Sequence, residues 1–378
     1  MKRSGSTLSA RMAKYARSIE SPEFDVIESL ARTTAIEDSP EPIGAVYPHR
    51  HPTNGIIVKH GDTIAQWGET QVPDMAFSIS KEFLVLAVGV ALRQGLIAST
   101  TELVAPVILK LDLPPEQMTG SETLGDTTWR HLLDNTSGWK GSLWGKHTDI
   151  DRQMTRRGMG QLTSGFPNGS RWSLNNIRVN LLALALTAVF EESLEAVMRR
   201  EIMDPIGASD TWRWNGYVNS FISLGTEAVP VVSGGAHWGG GIYISSSDLA
   251  LVGRLCAARG QWNGQSLVPS TWFEESWALV EKAPMPMGYM WQTNINGDFA
   301  PGAPRSGFAA TGGTQALGHN LLWVDPENEI VAVSRWMRSD RMAEFLERMT
   351  QYLNDDPDYR AGACAGAETL IETQPGDH

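Results

Sequence analysis

Ser78 and Lys81 stand three positions apart at the head of the run Phe-Ser-Ile-Ser-Lys-Glu-Phe-Leu-Val-Leu, residues 77 to 86. One helical turn would bring this hydroxyl and this amine onto a common face. The chemistry open to them is nucleophilic attack by the serine with the lysine as base, which requires an uncharged amine. An ordinary lysine, with a pKa of about 10.4, is protonated at neutral pH. Burial against Phe83, Leu84 and Val85 would penalise the ammonium and lower that value. A serine at a helix start also sits at the positive end of the helix dipole, where a developing oxyanion is favoured. The same window equally describes an N-cap serine and a surface lysine on a core helix. Spacing alone does not choose, because Ser137 and Lys140 repeat it across a glycine in a loop-like stretch.

The elements that must position the pair can be read on either side of it. "NGIIVKHGDTIAQWGE", residues 54 to 69, is two β-branched runs around His60-Gly61-Asp62, a hairpin pattern. The apolar run predicts a helix over 79–94, closed by Gly95. Residues 8–33 read as amphipathic helix, and 40–53 as a linking loop. From 97 to 240 the pattern is mostly helical, interrupted by a Gly-rich stretch, 138–171, long enough to be a lid. Strand alternation returns in "HNLLWVDPENEIVAVSRWM", with a turn at Asp325 to Asn328, and a helix over 340–354 closes the fold. These elements predict an N-terminal helical extension (1–39) and a discontinuous mixed α/β domain (40–96 and 240–356). A helical domain (97–239) is inserted between its parts, and a tail (357–378) follows.

Composition narrows the function. The 378 residues carry 31 basic and 43 acidic side chains, a net charge of -12, with the arginines scattered; this argues against a nucleic-acid partner. No apolar run reaches the roughly 18 residues of a membrane span, and residues 1–30 lack the apolar core of a secretory signal. The expected location is the cytoplasm. Cys256 and Cys364 cannot form a disulfide framework, and Cys256 reads as a buried hydrophobe. The eight histidines show no zinc-site spacing, so neither a metal nor a cofactor is expected.

The order of segments carries more than any one of them. "FSISK" after a hairpin, "LLDNTSGW", "NGSRWSLNNIRVNLLALAL", "GGGIYISSSDLALVGRL" and "TGGTQALGHNLLWVDPENEIVAV" together resemble the serine β-lactamase and penicillin-recognising superfamily over about residues 50 to 355. The nearest branch is that of class C β-lactamases, family VIII esterases and 6-aminohexanoate-dimer hydrolases. The resemblance implies a β-lactamase-like fold, α/β plus all-α, in which an antiparallel sheet flanked by helices carries an inserted helical domain. It also implies that Ser78 is acylated and that Lys81 is its base.

The sequence departs from the superfamily pattern at two places. In "GSRWSLNN" Leu174 stands where relatives carry a tyrosine, while Asn176 keeps their asparagine. A leucine can neither give nor take a proton, so Lys81 must work alone, or His319, Tyr217 or Lys140 must reach in, or the protein binds ligands without turning them over. In place of a Lys-Thr-Gly strand stands Thr311-Gly312-Gly313. The missing cation argues against β-lactam carboxylates, while the glycines allow close approach of an acyl group. An N–H near Thr314 would join that of Ser78 as an oxyanion hole. Trp172 and His319 complete the candidate substrate-binding set. The expected activity is hydrolysis of a small ester, amide or short non-standard peptide through an acyl-enzyme.

Overall fold

The computed structural model describes residues 4–34, 44–150, 165–236 and 239–356. The turn residues His60 and Gly61 both have positive φ (48° and 84°), and Lys59 pairs with Asp62 around them. A two-residue loop of this hand matches the twist of its strands, so Gly55–Lys59 and Asp62–Trp67 form the predicted hairpin. Gly55–Lys59 also pairs with Ile330–Met337 near the far end of the chain. The whole sheet has six antiparallel strands in the order Gln292–Thr293, Phe308–Thr314, Gly318–Asp325, Ile330–Met337, Gly55–Lys59, Asp62–Trp67.

Both faces of this sheet are covered. Ile56, Val58, Leu322, Val331 and Val333 face one core, shared with the helices Ser80–Arg93 and Ser246–Ala257. Ile57, Trp67, Leu321, Trp323 and Ala332 face another, shared with the helices Ser4–Ser18 and Met342–Asp355. Every residue of Ile330–Met337 is therefore buried, which is why its sequence lacks strict apolar–polar alternation.

Two expectations change. The N-terminal stretch is not one helix but two, Ser4–Ser18 and Val26–Thr34. Pro22 disfavours helix at its approach, and the intervening chain bonds to the central strand instead, Ser21 N–H donating to Trp336 O at 2.9 Å. The 97–239 stretch is not mostly helical throughout. Beyond the helices it carries a hairpin, Arg213–Leu224 with Glu227–Val232, in a second sheet ordered Asp74–Met75, Gly241–Ile244, Arg213–Leu224, Glu227–Val232. A register shift between Gly216 and Phe221 breaks the two-residue period, which hid this strand from a reading by alternation. Of the stretch read as a lid, 151–164 lies outside the described residues, as does the 357–378 tail with Cys364. Among the described residues no helix is long and apolar enough to cross a membrane, and no cluster of His, Cys, Asp and Glu could hold a metal ion.

Candidate active site

The second sheet aims the serine. Asp74 and Met75 pair with Ile244 and Tyr243, and Ala76 N–H donates to Ile242 O at 2.8 Å. The chain then turns sharply at Phe77, whose φ of 50° is left-handed, a conformation that costs a bulky residue about 1–2 kcal/mol. Its ring lies edge-on to Trp336, with centroids 6.1 Å apart, within a small apolar cluster that offsets the strain. Ser78 follows in a short 3-10 turn, Phe77–Ile79, before the α-helix begins at Ser80. Ser80 Oγ donates to Phe77 O (2.6 Å) and accepts from Ile242 N–H (2.8 Å), tying the bend to the sheet. The buried guanidinium of Arg335 reinforces the same joint, donating to Ile244 O at 2.6 Å. Burial pulls its pKa down to about 10, and the nearby Asp74 carboxylate opposes that fall.

Ser78 caps nothing; the N-cap position of the helix is Ile79, without a side-chain bond. Lys81, only 5% exposed, donates from Nζ to Ser78 Oγ at 2.6 Å and to Gly234 O at 3.1 Å. The surface-lysine alternative is thus excluded by the packing. Gly234 is held in turn, its N–H donating to Asn180 Oδ1 at 3.0 Å. Asn180 Nδ2 donates to the Tyr217 hydroxyl at 3.2 Å, which donates to Ala236 O at 2.7 Å. Tyr217 therefore braces the backbone that orients Lys81.

The glycines of this brace are required sterically. At Gly235, with φ of 76°, a Cβ would lie 2.0 Å from Phe77 O. Gly235→Ala is expected to cost about 2–5 kcal/mol, an overpacked contact plus a left-handed backbone. Gly225→Ala, at a positive φ but with open space around it, is expected to cost only the backbone share of about 1–2 kcal/mol. Urea denaturation of both variants checks the difference.

Ser78 and Lys81 open onto a cleft of about 230 Å³. Thr311, Gly312 and Gly313 of the sheet line one side. A Cβ on Gly312 would stand 2.8 Å from Ser78 N and 2.1 Å from Ala76 O, so the strand lies directly against the nucleophile's backbone. Thr311 Oγ1 accepts from Gln292 Nε2 at 3.3 Å. Opposite, Trp172, Leu174, Met285, Met287 and Met290 make a largely apolar wall. His319 also lines the cleft, its Nδ1 2.7 Å from Ser339 Oγ.

Ser78, Lys81, Trp172, Thr311, Gly313 and His319 are thus brought together, and two other sequence candidates are not. Asn176 is the first residue of the helix Asn176–Phe190 and is buried outside the cleft-lining set. The chain passes from extended Asn175 (φ -143°) into helix there. Thr314 is likewise outside the cleft-lining set; it ends its strand, and its hydroxyl accepts from Leu317 N–H at 3.1 Å. Lys140 is about half exposed and pairs with Asp149 at 3.7 Å, away from the cleft.

Sequence reasoning missed the methionine wall, Asn135, Gln292 and Glu82. Only Glu82 had a signal, its place four residues after Ser78, where side chains share a helix face. Glu82 is 4% exposed and lines the cleft, and its Oε2 has no hydrogen-bond partner among the described residues. Burial raises its carboxyl well above the ordinary range, and the neighbouring Lys81 charge opposes this. A folded-state pKa above the unfolded one contributes stability at low pH, and that contribution is lost as pH rises through the folded value. Glu82→Gln is therefore expected to gain Tm over the parent protein, with a gap that widens from acid to alkaline pH. Thermal melts across that range measure it.

The site so far is a half-buried serine touched by a buried lysine, in a cleft between a sheet and a helical layer. Residues 50–348 match the family model described as Beta-lactamase, and the chain belongs to that family. It is thereby placed among the serine hydrolases of the β-lactamase superfamily. An uncharacterized protein of Alkalihalophilus pseudofirmus is 25% identical over 281 residues, covering 68% of this chain and 71% of that protein. A putative 6-aminohexanoate-dimer hydrolase from Bacillus anthracis superposes with a TM-score of 0.52 at 17% identity, covering 80% of each chain. EstCE1, described as a hydrolase with promiscuous acyltransferase activity, does so with a TM-score of 0.54 at 12% identity, covering 90% of this chain and 98% of that one.

Proposed function

We propose that the protein hydrolyses a small, uncharged ester or amide through an acyl-enzyme on Ser78, with Lys81 as the base. The observation that carries this reading is the 2.6 Å contact of Lys81 Nζ with Ser78 Oγ at the edge of the cleft. A neutral amine has two N–H groups and one lone pair. Acting as a neutral amine, Lys81 would turn that lone pair to the Ser78 hydroxyl and take its proton as Oγ attacks the carbonyl carbon. The Ser78 N–H and the Gly312–Gly313 backbone supply the partial positive charge an oxyanion needs.

The substrate class follows from the walls. Methionine, leucine and tryptophan side chains favour an apolar acyl group, and methionine adapts to several shapes. The sheet strand offers threonine and glycine where a carboxylate-binding cation would stand, which supports esters and amides over β-lactams. Two of the proteins similar in fold, a putative 6-aminohexanoate-dimer hydrolase and a hydrolase with promiscuous acyltransferase activity, are compatible by name with this class.

The test is incubation with a fluorophosphonate and a panel of p-nitrophenyl esters of increasing chain length, followed by intact mass. Covalent labelling together with multiple turnovers of an apolar ester is expected. Absence of both would overturn the reading in favour of a binding protein on the same scaffold.

A further inference from the structure

An acyl-enzyme cycle needs two proton transfers beyond that from Ser78 to Lys81, which Lys81 must carry alone or share with a second group. The leaving group must gain a proton, and the hydrolytic water must lose one. Leu174, which lines the cleft, can do neither. Apart from Ser78, the acidic and basic side chains that line the cleft among the described residues are Lys81, Glu82 and His319. Lys81 is engaged with Ser78, and His319 has one ring nitrogen against Ser339. Glu82 stands four residues after Ser78, one helical turn on, and its Oε2 is buried without a partner among the described residues. Leaving such a group unsatisfied costs about 1–3 kcal/mol, a cost that packing alone would not retain.

We propose that Glu82 is the group that gives a proton to the departing alcohol or amine and takes one from the hydrolytic water. The proposal rests on the acyl-enzyme reading above. In acylation the Ser78 proton passes to Lys81, the Ser78 Oγ–carbon bond forms, the carbon–leaving-group bond breaks, and the protonated Glu82 hands its proton to the leaving group. Lys81 is then cationic beside a Glu82 carboxylate. In deacylation that carboxylate takes a proton from water, the hydroxyl adds to the acyl carbon, the ester bond to Oγ breaks, and Lys81 returns its proton to Oγ. Both groups end as they began.

The surroundings suit this role. Lys81 approaches Glu82 from its own helix, and Cys256 faces it from the helix Ser246–Ala257, with its thiol pushed up by burial and by Glu82 itself. An uncharged thiol leaves Lys81 as the charge partner among these groups. Burial also raises the Glu82 carboxyl well above its ordinary range, the direction an acid needs, against the opposing Lys81 charge.

The experiment compares the parent protein with Glu82→Gln and Glu82→Asp, using a fluorophosphonate, p-nitrophenyl butyrate and ethyl butyrate. Fluoride and p-nitrophenolate leave without a proton, so Glu82→Gln should still label at the parent rate and still release an initial burst of p-nitrophenolate. Its steady-state turnover should fall about a hundredfold, at the low end of what an acid–base group contributes. The butyryl-enzyme should accumulate by intact mass, and Glu82→Asp should recover part of the rate. Parent-like turnover by Glu82→Gln would overturn the proposal, and so would loss of labelling together with turnover, since Glu82 would then serve only to hold the pair. A parent protein that does not label would instead sink the acyl-enzyme reading beneath it. Should Glu82→Gln not fold, the parent's deacylation rate decides: it should fall as pH is lowered and the carboxylate is protonated, and a flat profile contradicts the role.

Discussion

Ser78→Ala is expected to abolish labelling by a fluorophosphonate and to lower ester hydrolysis by about 10⁴-fold or more, the scale on which serine hydrolases lose activity with their nucleophile. The fold should be unaffected. Ser78 Oγ is bonded to Lys81, which keeps its second acceptor at Gly234 O, and the bend at Phe77 is fastened through Ser80 rather than Ser78. Ser137→Ala is the matched control. Ser137 Oγ accepts from Trp139 N–H at 3.2 Å in a buried loop outside the cleft-lining set, so labelling and turnover should persist. Measuring kcat/KM on one p-nitrophenyl ester for the three proteins checks both statements.

Lys81→Met should rank second. Methionine keeps most of the buried aliphatic stem and removes the amine, so the apolar packing of the helix start survives while Ser78 loses its base. A positioned base contributes about 10²–10⁴-fold, and acylation by both the ester and the fluorophosphonate should slow by that order. The contrast with Glu82→Gln is informative: loss of Lys81 slows formation of the acyl-enzyme, whereas loss of Glu82 slows its breakdown. Pre-steady-state release of p-nitrophenolate separates the two, with no burst for Lys81→Met and a burst followed by a stall for Glu82→Gln.

Much of the frame was legible from residues alone. The hairpin at 55–67 announced itself through the His60-Gly61 turn, and the helix after Ser78 through its apolar run and Gly95. The late strands showed through the Asp325 turn. The Ser78–Lys81 contact followed from helical spacing once the helix was placed. What stayed hidden depended on long-range contacts. The hairpin Arg213–Leu224 with Glu227–Val232 is interrupted by a bulge and has a mixed burial pattern, so no period could be read from it. Met285, Met287 and Met290 reach the cleft because their loop folds over it, which spacing cannot reveal. Thr314 and Asn176 were drawn toward the site by analogy with relatives; they stand at the end of a strand and the start of a helix, and neither is among the residues that line the cleft. Glu82 was in plain view beside Lys81, but a charged residue in a first helical turn ordinarily complements the helix dipole, and only its burial marks it out.

The central claim is that Lys81 activates Ser78, and proteolytic mapping of the fluorophosphonate adduct tests it most directly. In the parent protein the account places the adduct on the peptide containing Ser78, and in Lys81→Met that adduct should form at least a hundredfold more slowly. An adduct on Ser137 or another residue, or a Lys81→Met protein labelled at Ser78 as fast as the parent, would contradict it.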